Sequence, residues 1–143
     1  MLLEEIYSGL NHMVDTGFIL AAEMHRMVIP TVGRSEKELA APFDDHGRFA
    51  SLTIEHLEVF SGEDHIWAEF KASGDANAFG SQWAAFSRAS VFPTLAAALN
   101  TSDRETSRVS RFMSALETDV ASRLAKAPSE MLIPLAKVVL SKD

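Results

Sequence analysis

ASLTIEHLEVFS, residues 50–61, is the stretch on which the fold turns. It is rich in Leu, Ile, Val and Thr and reads as a strand over about residues 52–60, because branched side chains suit a pleated, half-buried surface. Its alternation is imperfect. Leu52 and Ile54 share one face, while Leu57 and Val59 fall on the other, so either a bulge sits near Glu55-His56 or both faces are partly buried. MLIPLAKVVLSK, residues 131–142, reads as a second strand, with Pro134 near its beginning or on an edge. Two strands alone make a marginal sheet, so these must pair with each other or with another chain and be covered by helices.

Outward from the strands, the chain reads as five or so helices. Over residues 2–15, Leu3, Ile6, Leu10, Met13 and Val14 recur at spacings of three and four, with Glu4, Glu5 and Asn11 opposite. Asp15-Thr16-Gly17 breaks this helix, and a short second one runs from Ile19 to Met27, ended by Pro30. Ser35-Glu36-Lys37-Glu38 has the form of a capping box and predicts a helix to Phe43 or His46, closing at Gly47. The longest helix is expected from Asp75 to Leu99, central because apolar or small residues cover much of its circumference, and kinked at Pro93. Ser102-Asp103-Arg104-Glu105 is a second capping box, opening a helix with Val109, Phe112, Met113, Leu116, Val120 and Leu124 on one stripe. The expected class is α+β, mostly helical, with two separated strands.

Composition narrows the function. The chain of 143 residues predicts a single domain over residues 1–143. Thirteen Lys and Arg against 20 Asp and Glu give a formal charge of −7, which disfavours nucleic acid, whose binding depends on cations neutralising phosphates. No apolar run is long enough for a membrane span. Glu4 and Glu5 stand where a signal peptide carries Lys or Arg, so the expectation is a cytoplasmic protein. With zero cysteines there are no disulfides, thiolate metal sites or cysteine nucleophiles. The glycines form neither a dinucleotide-binding nor a P-loop fingerprint, the histidines form neither HxxxH nor HExxH, and no GxSxG elbow is present. No catalytic and no metal-binding residue is therefore assigned.

Three features carry chemical interest. The loop Met27–Arg34, led into by His25 and Arg26, is apolar for a loop; it is either a connector pinned to the core or one wall of an apolar pocket. In WAAFSRASVFPTL, residues 83–95, Trp83, Phe86 and Phe92 suit a core, while Ser87, Ala89 and Ser90 leave space for another backbone or a ligand. Arg88 on an inner face would need an anionic partner, and on the surface would pair with an acid of a neighbouring helix. Glu55, Glu58, Glu63, Asp64 and Glu69 form an acidic patch, read as a solvated face rather than an acid–base pair.

Taken in order, these segments resemble the C-terminal half of the SABATH family, the S-adenosylmethionine-dependent carboxyl methyltransferases of small acids. EEIYSGLNHMVDTGFI (4–19) looks like the family's helix ending in Leu-Val-x-Glu-Gly-Leu-Ile. MVIPTVGRSEKEL (27–39) is similar to Asn-Ile-Pro-x-Tyr-x-Pro-Ser-x-Glu-Glu, with Ile29, Pro30, Ser35 and Glu38 matching. HGRFASLTIEHLEVF (46–60) looks like Gly-Ser-Phe-x-Ile-x-x-Leu-Glu, and FSRASVFPTLAAAL (86–99) resembles Arg-Ala-Val-x-Glu-Pro-Leu through Arg88, Ala89 and Pro93. LAKVVLSKD is like the family's final strand. Each motif is weakly specific; their collinearity over nearly the whole chain carries the resemblance.

The resemblance implies a helical cap over an acceptor-substrate pocket, together with the last strands of a methyltransferase sheet. Carried over by position, the substrate-lining residues are Val32, Ser87 and Ser90, with Met27 and Ile29 nearby. Val32 stands for the usual aromatic residue, Arg34 for a proline and Phe92 for a glutamate, so the family's preference for aromatic acids does not transfer. The glycine-containing cofactor loop and acidic ribose-binding residue of the family's first half have no counterpart here. The expectation is thus an acceptor-binding portion that takes a small carboxylic acid and is not catalytic alone. S-adenosylmethionine is expected only if a cofactor-binding domain is supplied. The implied partners are that separate domain or a second copy in a dimer. The alternative is a non-catalytic small-molecule-binding or self-associating interaction protein on the same fold.

Overall fold

A computed structural model describes residues 2–43, 49–100 and 106–142. Its elements are α1 (Leu2–Asp15), α2 (Ala21–Met24), α3 (Glu36–Ala40) continued by a 3-10 turn (Ala41–Phe43), β1 (Leu52–Gly62), α4 (His65–Ser73), α5 (Ala76–Ser90), α6 (Phe92–Ala96), α7 (Thr106–Lys126) and β2 (Ile133–Lys142). The mostly helical α+β class is as expected, and the two strands pair with each other, antiparallel. The chain divides into two compact units, residues 1–30 with 65–131 and residues 31–64 with 132–143.

The first unit is helical, and α7 runs through it. Phe112, Leu116, Val120 and Leu124 are all buried on one stripe of α7, as their spacing predicts, together with Ile6, Leu10 and Met13 of α1 and Phe79, Trp83 and Ala84 of α5. Each of the larger aliphatic and Phe side chains among these contributes about 1.5–3 kcal/mol by leaving water. Two glycines allow the helices to approach. A Cβ on Gly80 would run into the backbone of α7 at Ala121 and Ala125, and one on Gly9 would press on Leu116 and Asp119.

Several boundaries differ from the sequence reading. The segment 75–99 is two helices, and α7, at 21 residues, is longer than either. Asp75 does cap α5, its carboxylate accepting from the Ala78 N–H at 2.9 Å. The break comes at Val91 rather than as a kink at Pro93, because Pro93 sits in the first turn of α6, where a missing N–H leaves no intrahelical bond unmade. Helix α2 is shorter than Ile19–Met27. Helix α4 was read as part of an acidic, solvated stretch, yet Trp67 and Phe70 pack on Phe79 with ring centroids 6.0 and 5.4 Å away. The predicted capping box at Ser102–Glu105 and the closure at His46–Gly47 lie outside the described residues.

The second unit is a two-stranded ribbon with α3 against β1. The Ser35 box is formed: the Ser35 hydroxyl accepts from the Glu38 N–H at 3.3 Å, and Glu38 accepts from the Ser35 N–H at 2.8 Å. The same Ser35 donors hold the Glu38 carboxyl below its ordinary pKa. Just before β1, Phe49 and Leu52 bond to each other through both N–H groups, and Ala50 and Ser51 between them have φ of 52° and 64°. Within the ribbon, Ile54 pairs with Leu140 and His56 with Val139, so Glu55 is the extra residue of a β-bulge.

Candidate functional site

The bulge decides what the ribbon presents. With the side-chain period of two, Leu52 and Ile54 would oppose Leu57 and Val59; one extra residue at Glu55 restores them to a common face. Register then adds Ala136 opposite Val59, Val138 opposite Leu57 and Leu140 opposite Ile54. This face is apolar from Ile54 to Val59, between Lys142 beside Leu52 at one end and Ser61 beside Pro134 at the other. The other face carries His56 opposite Val139, Glu58 opposite Lys137, and Thr53 opposite Ser141, with Phe60 and Leu135 towards one end, and its Val139, Phe60 and Leu135 are likewise exposed. On the apolar face Val59, Val138 and Leu140 keep 42–43% of their surface exposed.

Of the five residues carried over by resemblance, Met27, Ile29, Ser87 and Ser90 belong to the helical unit and Val32 to the other. Met27 and Ile29 are half-buried in the loop after α2, in the helical unit. Val32 is 78% exposed and belongs to the other unit. Ser87 is fully buried, its hydroxyl donating to the Trp83 carbonyl at 2.9 Å, and Ser90 is exposed, its hydroxyl donating to the Phe86 carbonyl at 2.7 Å. Both serines therefore turn their protons back onto α5. Arg88 takes the surface alternative, reaching Glu117 of α7 at 2.7 Å and Ser114 at 3.3 Å. Trp83, close by, has a buried indole N–H with no acceptor among the described residues. Of the acidic patch, Glu55 and Glu58 lie on β1 and Glu69 on α4.

The residue that sequence reasoning missed is Glu23. Its side chain is fully buried, and each carboxylate oxygen receives two hydrogen bonds. Oε1 accepts from Arg108 Nη1 and from the Asn100 N–H, both at 2.7 Å; Oε2 accepts from Arg108 Nη2 at 2.8 Å and from the Leu20 N–H at 2.9 Å. The Arg108 hydrogen bonds outweigh burial and, with the two backbone donors, lower the Glu23 pKa to about 2. With its oxygens so occupied, this carboxylate is a clasp rather than a general base. Arg26 reinforces the clasp, donating to the carbonyls of Ala22 and Ala98 and to Asn100 Oδ1. One signal was available: an acid four residues after buried Ile19 falls on the inward face and needs a cation.

Among the open clefts of the helical unit are two of larger volume. One of about 440 Å³ is lined by Arg26, Val28, Thr94 and residues 97–100, so the loop after α2 does form part of a cleft wall, through Val28. The other, of about 500 Å³, lies between α1 and α7 and is lined by His12, Met13, Thr16, Phe18, Ala115, Thr118, Asp119 and Ser122. Met27, Ile29, Val32, Ser87 and Ser90 line neither. Among the described residues, no three His, Asp or Glu side chains are placed to hold a metal ion, and no helix is long and apolar enough to cross a membrane.

No protein-family model matches the chain, and no curated protein matches it.

Proposed function

We propose that this chain is the acceptor-binding portion of a methyltransferase-related protein, taking a small carboxylic acid in its helical unit and joining a cofactor-binding partner through its ribbon. The observation that carries the reading is the ribbon's apolar face. The chain leaves Val59, Val138 and Leu140 about half uncovered on a sheet of two strands, which is too few to be stable without further layers. A partner that added strands at the ribbon's edges and laid helices over that face would complete the layer, and strands of a larger sheet are what the resemblance makes of these two.

S-adenosylmethionine does not fit the residues present. Gly9 and Gly80 sit in helix contacts, Gly62 abuts Ile133 and Leu135, and Gly17 and Gly74 take positive φ at helix ends. None of these five is left to form the closely spaced glycine loop through which a backbone approaches a nucleotide.

Calorimetry on the purified chain tests the reading. Injection of S-adenosylmethionine is expected to give no binding heat, and a small carboxylic acid to give weak saturable heat. Tight binding of S-adenosylmethionine would contradict the proposal.

The ribbon also favours a second reading, a non-catalytic protein that covers the same face with another copy of itself. Sedimentation distinguishes the two: this reading requires a dimer that Val138→Lys dissociates, and a monomer at all concentrations excludes it.

A further inference from the structure

We propose that the cleft between α1 and α7 is a binding site for a small neutral molecule with an apolar body and one hydroxyl group. The site needs no cofactor and no partner, and so stands apart from the acceptor role proposed above. Its volume, about 500 Å³, is within the range of small-molecule sites. Met13 is buried beneath it and Phe18 is partly exposed beside it, which supplies an apolar floor and an aromatic edge. The Phe18 backbone is fixed by its N–H bond to the Met13 carbonyl at 2.8 Å.

The polar groups define the ligand's other end. Thr16 and Thr118 direct their hydroxyls to backbone carbonyls of their own helical turns, so they offer little. The His12 ring and the Ser122 hydroxyl have no hydrogen-bond partner among the described residues and line the cleft from opposite helices. Asp119 Oδ2 accepts from Arg123 Nε at 2.6 Å, which leaves Oδ1 to accept a proton donor. A hydroxyl can donate to that carboxylate oxygen while accepting from Ser122 or His12. A carboxylate ligand has no proton to donate to that oxygen. The cleft therefore selects an alcohol or phenol against an acid of the same size.

Amide chemical-shift titration of the full chain tests this with benzyl alcohol and benzoate as probes. Benzyl alcohol is expected to shift Phe18, Ala115 and Ser122 saturably, with affinity about tenfold or more above that of benzoate at the same residues. Asp119→Asn should narrow that preference to within a few-fold, and Ser122→Ala should weaken benzyl alcohol several-fold while leaving the rest of the amide spectrum in place. Ala115→Trp, which fills the cleft, should abolish the response. The proposal is overturned if benzyl alcohol produces no saturable shifts there, if benzoate binds equally well to the unmodified chain, or if Ser122→Ala and Asp119→Asn both leave binding unchanged.

Discussion

Arg108 grips Glu23 with both terminal nitrogens, Nη1 to Oε1 at 2.7 Å and Nη2 to Oε2 at 2.8 Å, across 85 positions of sequence. The pair ties the short α2 to the start of α7, and the Asn100 N–H bond brings the segment after α6 into the same clasp. Removing the Glu23 carboxylate takes away the acceptor of the Leu20 and Asn100 N–H groups and of both terminal nitrogens of Arg108. Glu23→Ala is expected to destabilise the chain by about 3 kcal/mol in urea unfolding. A loss below about 1 kcal/mol would show that the pair is an incidental contact.

The same pair sets the acid limb of stability. The Glu23 pKa is depressed in the folded chain from 4.5 to about 2, so the unfolded chain binds the proton more readily. The contribution, about 3 kcal/mol, is fully present above the unfolded value and is lost as pH falls from about 5 through 2. Glu23→Gln should flatten the pH dependence over that window, as read by denaturant midpoints at successive pH values. An unchanged slope would place the acid sensitivity elsewhere.

Gly80 tests the α5–α7 contact. An alanine there ordinarily gains helix propensity, by about 1 kcal/mol over glycine. Here the added carbon meets the α7 backbone, which cannot swing aside as a side chain can. Gly80→Ala is therefore expected to destabilise by about 1–3 kcal/mol in thermal or urea unfolding. Gly9→Ala meets the flexible Leu116 side chain first and should cost less. Reversal of that order would mean that the two helices can separate.

The turn before β1 holds Ala50 and Ser51 at positive φ, a conformation that costs a residue with a Cβ roughly 1–2 kcal/mol. Asn-Gly is the pair that suits such a two-residue turn. Ala50→Asn combined with Ser51→Gly should raise stability by about 1 kcal/mol, visible as slower amide exchange in β1 and β2. Faster exchange would show that the turn is not formed as described.

How much of this was legible in the sequence depends on the length scale of each signal. The stripe on α7 and the Ser35 cap are local, and they were read correctly because three- and four-residue spacing is sufficient evidence for them. The bulge was half legible: broken alternation at Glu55-His56 left two alternatives open, and only the pairing with Val139 and Leu140 selects one. Pro93 was placed correctly in a helix, but the choice between kinking one helix and starting another depends on where Val91 ends its turn. Helix α4 was missed because Glu63, Asp64 and Glu69 masked the helical spacing of Ile66, Trp67 and Phe70. Glu23 and Arg108 carried almost no joint signal, since nothing local links residues so far apart.

For the site, the loop after α2 was singled out for an apolar wall, and Val28 does line a cleft. Ser87 is carried over by position from the resemblance, and its small side chain equally well serves a buried position whose hydroxyl bonds back to its own helix. Small residues on a central helix report close packing as readily as a pocket, and sequence cannot separate the two.

The acceptor-binding role is tested most directly by residue-resolved titration of the isotope-labelled chain with a panel of small aliphatic and aromatic carboxylates. At least one acid is expected to give saturable amide shifts at Met27, Ile29 and Ser90, with S-adenosylmethionine giving none anywhere in the chain. Absence of a response at those residues to every acid, or a tight response to S-adenosylmethionine, would contradict it.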